Sequence, residues 1–352
     1  MQGLIILGTR PEAIKLIPVI KHLRRSNISI LVLSTEQHSK AVNQLFLDNN
    51  LTIDFKLKIS DSNSLSNQMA FYLSELDKLI SDKSFGFVMT QGDTLSAYAG
   101  MLYAYLNRID FIYIESGLRT YDLYNPYPEE GLRVMMSHVA KVNFVPTFQE
   151  KEYLLKENID SKKIFVVGNT GIDYISSHIN ENSIRIQKNK VLLTVHRREN
   201  WKMLDDFFGK LAIYLEKNPH ITMIYPMHFN IQIQEIAKKH LSNIRNITIS
   251  NALDSIEFYN HLQTCELVIT DSGGLQEEAT FLNKKMLVIR DKTERIFRNQ
   301  NICNIAINDD QLFPIIDDML KTNNEENGLN YAYGDGKASS RIVEWIEKEY
   351  IK

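Results

Sequence analysis

The sequence predicts an α/β protein made of two Rossmann-like domains. Two observations support this prediction. Short β-branched apolar runs recur along the chain, and helix-length amphipathic segments separate them. Such alternation is typical of βα units around a parallel sheet. A polar segment without clear periodicity, residues 175–189, divides the runs into two series of similar size and is interpreted as the linker region.

Each series supplies six predicted strands. Those of the first are LIILG from Leu4, ISILVLS from Ile28, FGFVMTQGD from Phe85, FIYIESG from Phe111, VNFVPT from Val142 and IFVVGNT from Ile164. Those of the second are VLLTVH from Val191, ITMIYPM from Ile221, ITIS from Ile247, LVITDSG from Leu267, MLVIRD from Met286 and NIAIN from Asn304.

These series predict an N-terminal Rossmann-like domain over residues 1–174 and a C-terminal one over residues 190–335. Residues 336–352 carry apolar side chains at helical spacing, including Ile342, Val343 and Ile346. We expect a final helix there, which packs on the second domain or crosses back to the first.

Composition and charge narrow the class of protein. The chain has 352 residues, 44% hydrophobic residues and a formal net charge of −3, so it lacks a global basic field that would attract nucleic acid. Its two cysteines, Cys265 and Cys303, have no metal-ligand spacing, and a reducing cytoplasm is the simplest setting. No run approaches ~20 apolar residues and the N-terminus has no basic leader, so neither a membrane span nor a signal peptide is expected.

The segment TDSGGLQEEATFL, residues 270–282, joins an apolar strand to a predicted helix. Ser272, Gly273 and Gly274 would let backbone N–H groups approach an anion at the positive end of that helix. Glu277 and Glu278 would repel a bare phosphate, although acidic residues also simply favour helix N-termini. A nucleotide fits both halves of the segment, since a carboxylate can accept hydrogen bonds from a ribose diol.

Polar residues also follow the strands of the first series. Arg10 and Lys15 lie in GTRPEAIK, where each alone is more simply a solvated surface charge. Asp93 ends a buried strand in QGDT, where an N-cap is the simpler interpretation. Functional residues of open α/β sheets gather at the carboxyl ends of the strands, so these positions qualify as site candidates.

The segment YIESGLRTYDLYNPYPEEGLR adds two more carboxylates. Glu115 ends an apolar strand, and Glu129 and Arg133 are four residues apart on the next predicted helix. A surface ion pair between Glu129 and Arg133 is the simpler interpretation, worth only ~0.3–0.5 kcal/mol. If Asp93, Glu115 and Glu129 converge, their like charges would separate their pKa values and allow an acid and a base to coexist.

The second series contributes cations at its strand ends. His196 follows a strand in TVHRREN, and its two neighbouring arginines favour an anionic ligand. His228 occupies the equivalent place in YPMHFN, where structural and functional roles are equally plausible. RDKTER follows the strand after TDSGG. Cations around central carboxylates favour a nucleotide diphosphate whose attached group undergoes acid/base chemistry.

Together these segments resemble the non-hydrolysing UDP-N-acetylglucosamine 2-epimerases. The resemblance covers nearly the whole chain, with motifs in the family's order: GTRPEAIKLIPVI, TEQH, QGDT, ESGLRT, PYPEEGLR, VGNTGID, HRREN, YPMH, TDSGGLQEE, DKTER and YGDGKASSRI. It implies the GT-B fold, in which two Rossmann-like domains face each other across a cleft. It also implies a homodimer that uses a UDP-sugar substrate, with no nicotinamide, other cofactor or metal.

The resemblance further implies a reaction and its residues. UDP leaves C1 of the sugar as the C2 proton is removed, giving 2-acetamidoglucal, and re-addition with protonation on the other face inverts C2. The implied catalytic residues are Asp93, Glu115, Glu129, Arg133 and His196. The implied substrate-binding residues are Arg10, Ser272, Gly273 and Gly274 at the diphosphate, Lys15 nearby, and Glu278 at the ribose, with His228 as a further candidate.

Some positions depart from the family pattern. Tyr113 stands where a His commonly occurs, Ile296 and Phe297 replace Pro-Glu, and Trp201 replaces a small residue. Ser39 and Lys40 are unusual in the segment that binds an activator in many members, so activation by a second UDP-sugar is not assumed. Because Tyr113 and Phe297 depart from the family pattern, a modified UDP-2-acetamido sugar is an alternative substrate. A hydrolysing epimerase and a GT-B glycosyltransferase are alternative activities.

Overall fold

A computed structural model describes residues 1–59, 62, 64–179, 185–195, 197–227, 230–251, 253–290, 301–322 and 329–351. Contacts divide the chain into two units. The first contains Met1–Tyr174 and Tyr333–Lys352, and the second contains Ile175–Ala332.

The first unit is built on a parallel sheet with helices between successive strands. Its strands are β1 (Gln2–Leu7), β2 (Ser29–Ser34), β3 (Phe55–Lys56), β4 (Phe87–Gln91), β5 (Asp110–Ile114), β6 (Val142–Val145) and β7 (Ile164–Val166). Its helices before the chain enters the second unit are α1 (Arg10–Leu23), α2 (Ser39–Asp48), α3 (Leu65–Ile80), α4 (Leu95–Leu106), α5 (Glu129–Val139), α6 (Phe148–Lys156) and α7 (Thr170–Ser176). A 3₁₀ turn covers Ser161–Lys163.

The second unit repeats this plan. Its strands are β8 (Lys190–Thr194), β9 (Thr222–Pro226), β10 (Ile247–Ser250), β11 (Leu267–Thr270), β12 (Lys285–Ile289) and β13 (Ile302–Ile305). Its helices are α8 (Leu204–Lys217), α9 (Ile231–Leu241), α10 (Ser255–Thr264), α11 (Gly273–Phe281) and α12 (Leu312–Lys321). A 3₁₀ helix covers Arg198–Met203.

The predicted α/β class is confirmed, and eleven of the twelve apolar runs named above contain most or all of a strand. The twelfth, NIAIN from Asn304, overlaps β13 only at its first two residues, because that strand begins at Ile302 and ends at Ile305. The structure adds β3, which has only two residues and so carries too little periodicity to be predicted. In β4 and β12 every residue is buried, because helices cover both faces of a parallel sheet. This double coverage explains why the strands read as continuous apolar runs.

In each sheet the strand order reverses beside the first strand of that sheet. Among the described residues, the strand orders are β3-β2-β1-β4-β5-β6-β7 in the first unit and β10-β9-β8-β11-β12-β13 in the second. The chain thus builds outward on one side of β1 and then on the other, and it does the same about β8. Ligands of doubly wound sheets bind at such switch points, outside the carboxyl ends of the strands. The candidate residues after β1, β4, β8 and β11 therefore flank the two switch points.

The final helix, α13 (Ala338–Tyr350), belongs to the first unit and packs against α1. A carboxylate from α7 caps its N-terminus: Asp173 accepts the backbone N–H groups of Ala338 at 3.1 Å and Ser339 at 2.7 Å. It also accepts the Ser339 hydroxyl. Burial raises the pKa of the Asp173 carboxyl above its usual value, although these hydrogen bonds oppose the shift. Across the described ranges, we find no helix with the length and apolar content needed to cross a membrane.

Candidate functional site

Glu115 is the centre of a buried hydrogen-bond network in the first unit. It follows β5 and is 8% exposed. Among the described residues, three side chains donate to its carboxylate. The Lys15 ammonium and the Asn169 amide, the latter at 3.0 Å, reach Oε1, and the Gln91 amide reaches Oε2. These donors come from α1, the loop before α7 and the end of β4, so separate βα units hold one carboxylate.

The backbone at Glu115 adopts a left-handed conformation, with φ of +64°. For a residue with a Cβ this conformation costs roughly 1–2 kcal/mol, which surrounding interactions must offset. Gly117 follows with φ of +91°, and a Cβ there would lie 2.8 Å from the backbone oxygen of Glu150. A tight turn that requires glycine thus directs Glu115 away from the path of its strand.

Arg133 lies against two carboxylates, Asp93 after β4 and Glu130 on α5. Its guanidinium is 2% exposed, and Nη1 lies 3.3 Å from Oδ2 of Asp93. Nη2 lies 2.8 Å from Oε2 of Glu130, near enough for an ion pair but not aligned as a hydrogen bond. The other oxygen of Glu130 accepts the backbone N–H groups of Thr120 and Tyr121 at 2.9 and 3.0 Å. Arg133 therefore connects the end of β4 to the loop that follows Glu115.

Two simpler interpretations of these residues are wrong. Asp93 does not cap α4, because Thr94 is the N-cap and its hydroxyl accepts the N–H of Ala97 at 3.1 Å. Arg133 does not belong to a solvated surface pair, because it is buried and lies against Asp93 and Glu130. Asp93 is half-buried and Glu129, the first residue of α5, is likewise partly exposed.

The switch point between β1 and β4 is held by a residue that sequence reasoning missed. Glu12 is 2% exposed and accepts the backbone N–H groups of Gly8 at 2.9 Å and Thr9 at 2.7 Å. Its second oxygen accepts the Thr94 hydroxyl at 2.5 Å, which ties the start of α1 to the start of α4. Burial raises the pKa of the Glu12 carboxyl. The spacing Thr9-x-x-Glu12 of a capping box was the available signal.

Arg10 and Lys15 differ in environment although both lie on α1. Arg10 is the first residue of the helix and is exposed. Lys15 is only 12% exposed and directly contacts Glu115, so it is not the solvated surface charge of the simpler interpretation. Lys15 thus brings a positive charge to the carboxylate, whereas Arg10 faces solvent.

The candidate turn of the second unit is built from small residues, so a ligand there would meet the backbone and not a pair of charged side chains. Ser272 caps α11 and accepts the N–H of Leu275 at 3.5 Å. Gly273 is buried, whereas a Cβ added at Gly274 would meet nothing within 4 Å. Small residues and open space at a helix N-terminus are the features that an anion requires. The anion site expected from TDSGG stays a prediction.

The two glutamates of this helix have different environments. Glu277 is 2% exposed, whereas Glu278 is partly exposed and accepts the Tyr259 hydroxyl at 3.1 Å. Glu278 is therefore the better placed of the two to meet a ligand. Tyr259, on α10, orients it and was not singled out from the sequence.

Asp271 is another residue that sequence reasoning missed. It is fully buried just before Ser272 and accepts the backbone N–H of Arg197 at 2.9 Å and the Asn200 amide at 3.0 Å. The Arg197 side chain donates to the backbone oxygen of Asp271 at 3.1 Å. Asp271 thus ties the loop after β8 to the turn before α11, on both sides of the switch point in this sheet.

Several predicted positions lie outside the described residues or away from the site. His196, His228, Ile296, Phe297 and residues 291–295 of RDKTER fall outside the described residues. Tyr113 is fully buried, and its hydroxyl has no hydrogen-bond partner among the described residues. Burial and the nearby charge of Asp93 raise the pKa of Tyr113.

Comparisons with known proteins agree on one family. The family model described as UDP-N-acetylglucosamine 2-epimerase matches residues 21–347. UDP-N-acetylglucosamine 2-epimerase of Bacillus subtilis is 34% identical over 359 residues, covering 98% of this chain and 94% of that protein.

Two solved structures agree with this match. The Neisseria meningitidis UDP-GlcNAc 2-epimerase bound to UDP-GlcNAc has a TM-score of 0.86 at 30% identity, over 99% of this chain and 100% of that one. The Methanocaldococcus jannaschii UDP-GlcNAc 2-epimerase in complex with UDP-GlcNAc and UDP has a TM-score of 0.85 at 31% identity, with the same coverage. The predicted GT-B fold class is confirmed by these neighbours. On this evidence the chain belongs to the UDP-N-acetylglucosamine 2-epimerase family.

Proposed function

We propose that this chain interconverts UDP-N-acetylglucosamine and UDP-N-acetylmannosamine by eliminating UDP and adding it back. Family membership over nearly the whole chain supports the substrate class and the reaction. The observation that carries the assignment of residues is the pair Asp93 and Glu115. They follow adjacent strands β4 and β5, and each lies against a cation.

Asp93, Glu115 and Glu129 are the proposed acid and base residues. Inversion at C2 requires removal of a proton from one face of the sugar and delivery to the other. Two carboxyl groups in unequal environments suit these two tasks. The environments do differ, since Glu115 is buried among three donor side chains whereas Asp93 is half-buried beside Arg133. Arg133 and His196 complete the proposed catalytic set.

Stabilisation of the departing diphosphate is the second proposed task. The C2 proton has no adjacent carbonyl to acidify it, so most of the assistance must come from stabilising the UDP that leaves C1. Ser272 and the backbone N–H groups of Gly273 and Gly274 are proposed to contact the diphosphate at the N-terminus of α11, and Arg10 and His228 are proposed as additional contacts. The backbone N–H of Ser272 itself donates to the Thr270 hydroxyl at 3.0 Å. Glu278 is proposed to accept the ribose hydroxyls, as its partial exposure permits.

Lys15 is proposed to serve both tasks. It contacts Glu115, and an ammonium has three N–H donors, so a phosphate oxygen can share it. We expect the Lys15 ammonium to lie closer to Glu115 or to the phosphate, whichever carries more negative charge at that step of the reaction.

The reaction is tested by incubating the protein with UDP-N-acetylglucosamine in D2O and following the sugar by proton NMR. We expect deuterium at C2 together with UDP-N-acetylmannosamine. Free N-acetylmannosamine would instead indicate a hydrolysing epimerase. Transfer of the sugar to an acceptor without exchange at C2 would indicate a glycosyltransferase. Exchange only with a modified UDP-2-acetamido sugar would change the substrate and keep the mechanism.

We also propose that the protein works as a cytoplasmic homodimer. The two cysteines are free, as a reducing compartment favours. Adjacent helices of the first unit expose large apolar side chains, Tyr105 and Leu106 on α4 and Met135 and Val139 on α5. Such a patch is typical of an interaction surface. Sedimentation analysis is expected to give twice the chain mass, and Leu106→Lys is expected to lower it to the mass of one chain.

A further inference from the structure

Asn169 lies in the loop between β7 and α7, where its side-chain oxygen and its side-chain nitrogen both form hydrogen bonds. It is 3% exposed. Its Oδ1 accepts the backbone N–H of Gly171 at 2.8 Å, and its Nδ2 donates to Oε1 of Glu115 at 3.0 Å. These partners fix the orientation of the amide, because the Gly171 N–H only donates and a carboxylate only accepts.

The backbone of Asn169 makes a third connection. Its N–H donates to the backbone oxygen of Tyr333 at 2.7 Å. The chain leaves the first unit after Tyr174 and returns to it at Tyr333. A Cβ on the preceding Gly168, which has φ of +98°, would lie 3.2 Å from the Cα of Gly334. The outgoing and returning segments are therefore fastened together at Asn169, which also contacts Glu115.

We propose that Asn169 is a positioning residue for the reaction, holding the Glu115 carboxylate and tying it to the segments by which the chain leaves and re-enters the first unit. The inference rests on the proposed catalytic role of Glu115.

The backbone of Glu115 explains why such a residue is needed. A left-handed glutamate has a strained backbone, and its side chain must be fixed by other groups if its geometry is to be kept. Among the described donors to Oε1, Lys15 is a charged and flexible side chain that an anionic ligand can compete for. The Asn169 amide is neutral and is locked at its other end by Gly171, so it keeps its direction when charges change nearby.

Asn169→Asp separates positioning from folding. The substitution preserves shape and the oxygen that accepts the Gly171 N–H, but it replaces the donor to Glu115 by a second carboxylate oxygen. We expect kcat to fall about 100-fold, because small displacements of a reacting group have effects of that order. We expect the Kd for UDP to change by less than about threefold, since the substitution removes no proposed UDP contact.

Asn49→Asp is the matched control. Asn49 is also buried in the first unit, and its amide donates to the Leu45 backbone oxygen at 2.9 Å and the Tyr174 hydroxyl at 3.3 Å. The same change of side chain occurs there without a described contact to Glu115. Oδ1 of Asn49 accepts the Lys21 ammonium at 2.8 Å, so the new carboxylate would pair with that cation. We expect kcat to fall only in Asn169→Asp, whatever the change in Tm of the control. Equal kcat values in the two variants would reduce Asn169 to a structural role and overturn the inference.

Glu115→Gln, alone and combined with Asn169→Asp, distinguishes failure of the inference from failure of the catalytic assignment. If Asn169 acts through Glu115, the double variant will be no slower than Glu115→Gln alone. An inactive Glu115→Gln beside a fully active Asn169→Asp overturns the inference alone. A fully active Glu115→Gln overturns both the catalytic role and the inference.

Asn169→Ser serves if Asn169→Asp does not fold. Its hydroxyl can accept the Gly171 N–H but is too short to replace the amide at Glu115. The expected result is again a lower kcat with unchanged affinity for UDP, and an unchanged kcat overturns the inference.

Discussion

The two units prepare for a ligand in different ways. In the first, charged side chains pair with each other: the buried Glu115 with Lys15, and the buried Arg133 with the half-buried Asp93. In the second, α11 begins with a serine cap and two glycines, and a Cβ added at Gly274 would meet nothing within 4 Å. Charged pairs in low dielectric can change protonation state during a reaction, whereas a helix N-terminus carries a fixed partial charge. The difference suggests that chemistry belongs to the first unit and binding of the nucleotide to the second.

The largest expected effect is that of Asp93→Asn. The change keeps the shape of the side chain but removes the charge that faces Arg133, 3.3 Å away. We expect exchange at C2 to fall by about 10²–10⁴-fold, the usual range for loss of an acid or base. Affinity for UDP, measured by calorimetry, should stay within a few fold. Unchanged exchange would remove Asp93 from the catalytic set, and a loss of affinity alone would make it a binding residue.

Glu278→Ala should give the complementary result. Hydrogen bonds to a charged acceptor are worth about 1.5–3 kcal/mol, so we expect Kd for UDP to rise roughly 10- to 100-fold. At saturating substrate, kcat should change much less than in Asp93→Asn. Tyr259→Phe removes only the hydroxyl that donates to Glu278, and a smaller rise in Kd is expected there. If Glu278→Ala lowers kcat and leaves Kd unchanged, the proposed division between the units is wrong.

The strands were predictable because each is an apolar run bounded by turn residues, and their carboxyl ends located Asp93, Glu115 and Ser272. The pairing of side chains was not predictable. Lys15 and Glu115 are 100 residues apart, and they meet because β1, β4 and β5 are neighbours in the sheet. No local periodicity encodes that proximity.

Other features left signals that were too weak or ambiguous. Gly117 pointed to a turn, but the left-handed backbone of Glu115 itself depends on tertiary contacts. Asn169 was present in VGNTGID, yet an asparagine after a strand has many structural uses. Tyr113 stood out as a departure from the family pattern, and only the structure shows that its ring is buried.

Gly274→Ala tests the second unit with a smaller expected effect. A Cβ added at Gly274 would have no neighbouring atom within 4 Å, and alanine is favoured over glycine in helices by up to ~1 kcal/mol. We therefore expect a slightly higher Tm together with UDP binding weakened about tenfold, since the methyl group occupies space close to the proposed anion.

Gly209→Ala is its control. Gly209 lies inside α8 in the same unit, and a Cβ there would make an ordinary 3.5 Å contact with His240. The same stabilisation is expected without loss of affinity. Equal affinities for UDP in the two variants would argue against an anion at Gly274.

The smallest expected effect concerns α13, which shows within the first unit what an anion does at a helix N-terminus. Asp173 accepts two backbone N–H groups there, and burial raises the pKa of its carboxyl above 3.8. A raised pKa means that the folded state binds the proton more tightly than the unfolded state does. The resulting stabilisation is complete below pH 3.8 and is lost as the pH rises through the folded pKa. Asp173→Asn cannot titrate, so the free energy of unfolding of the wild type in urea should rise relative to that of this variant as the pH falls from 7 to 4. A gap that does not vary with pH would mean that the hydrogen bonds of the cap balance the effect of burial, and a gap that narrows as the pH falls would mean that they outweigh it.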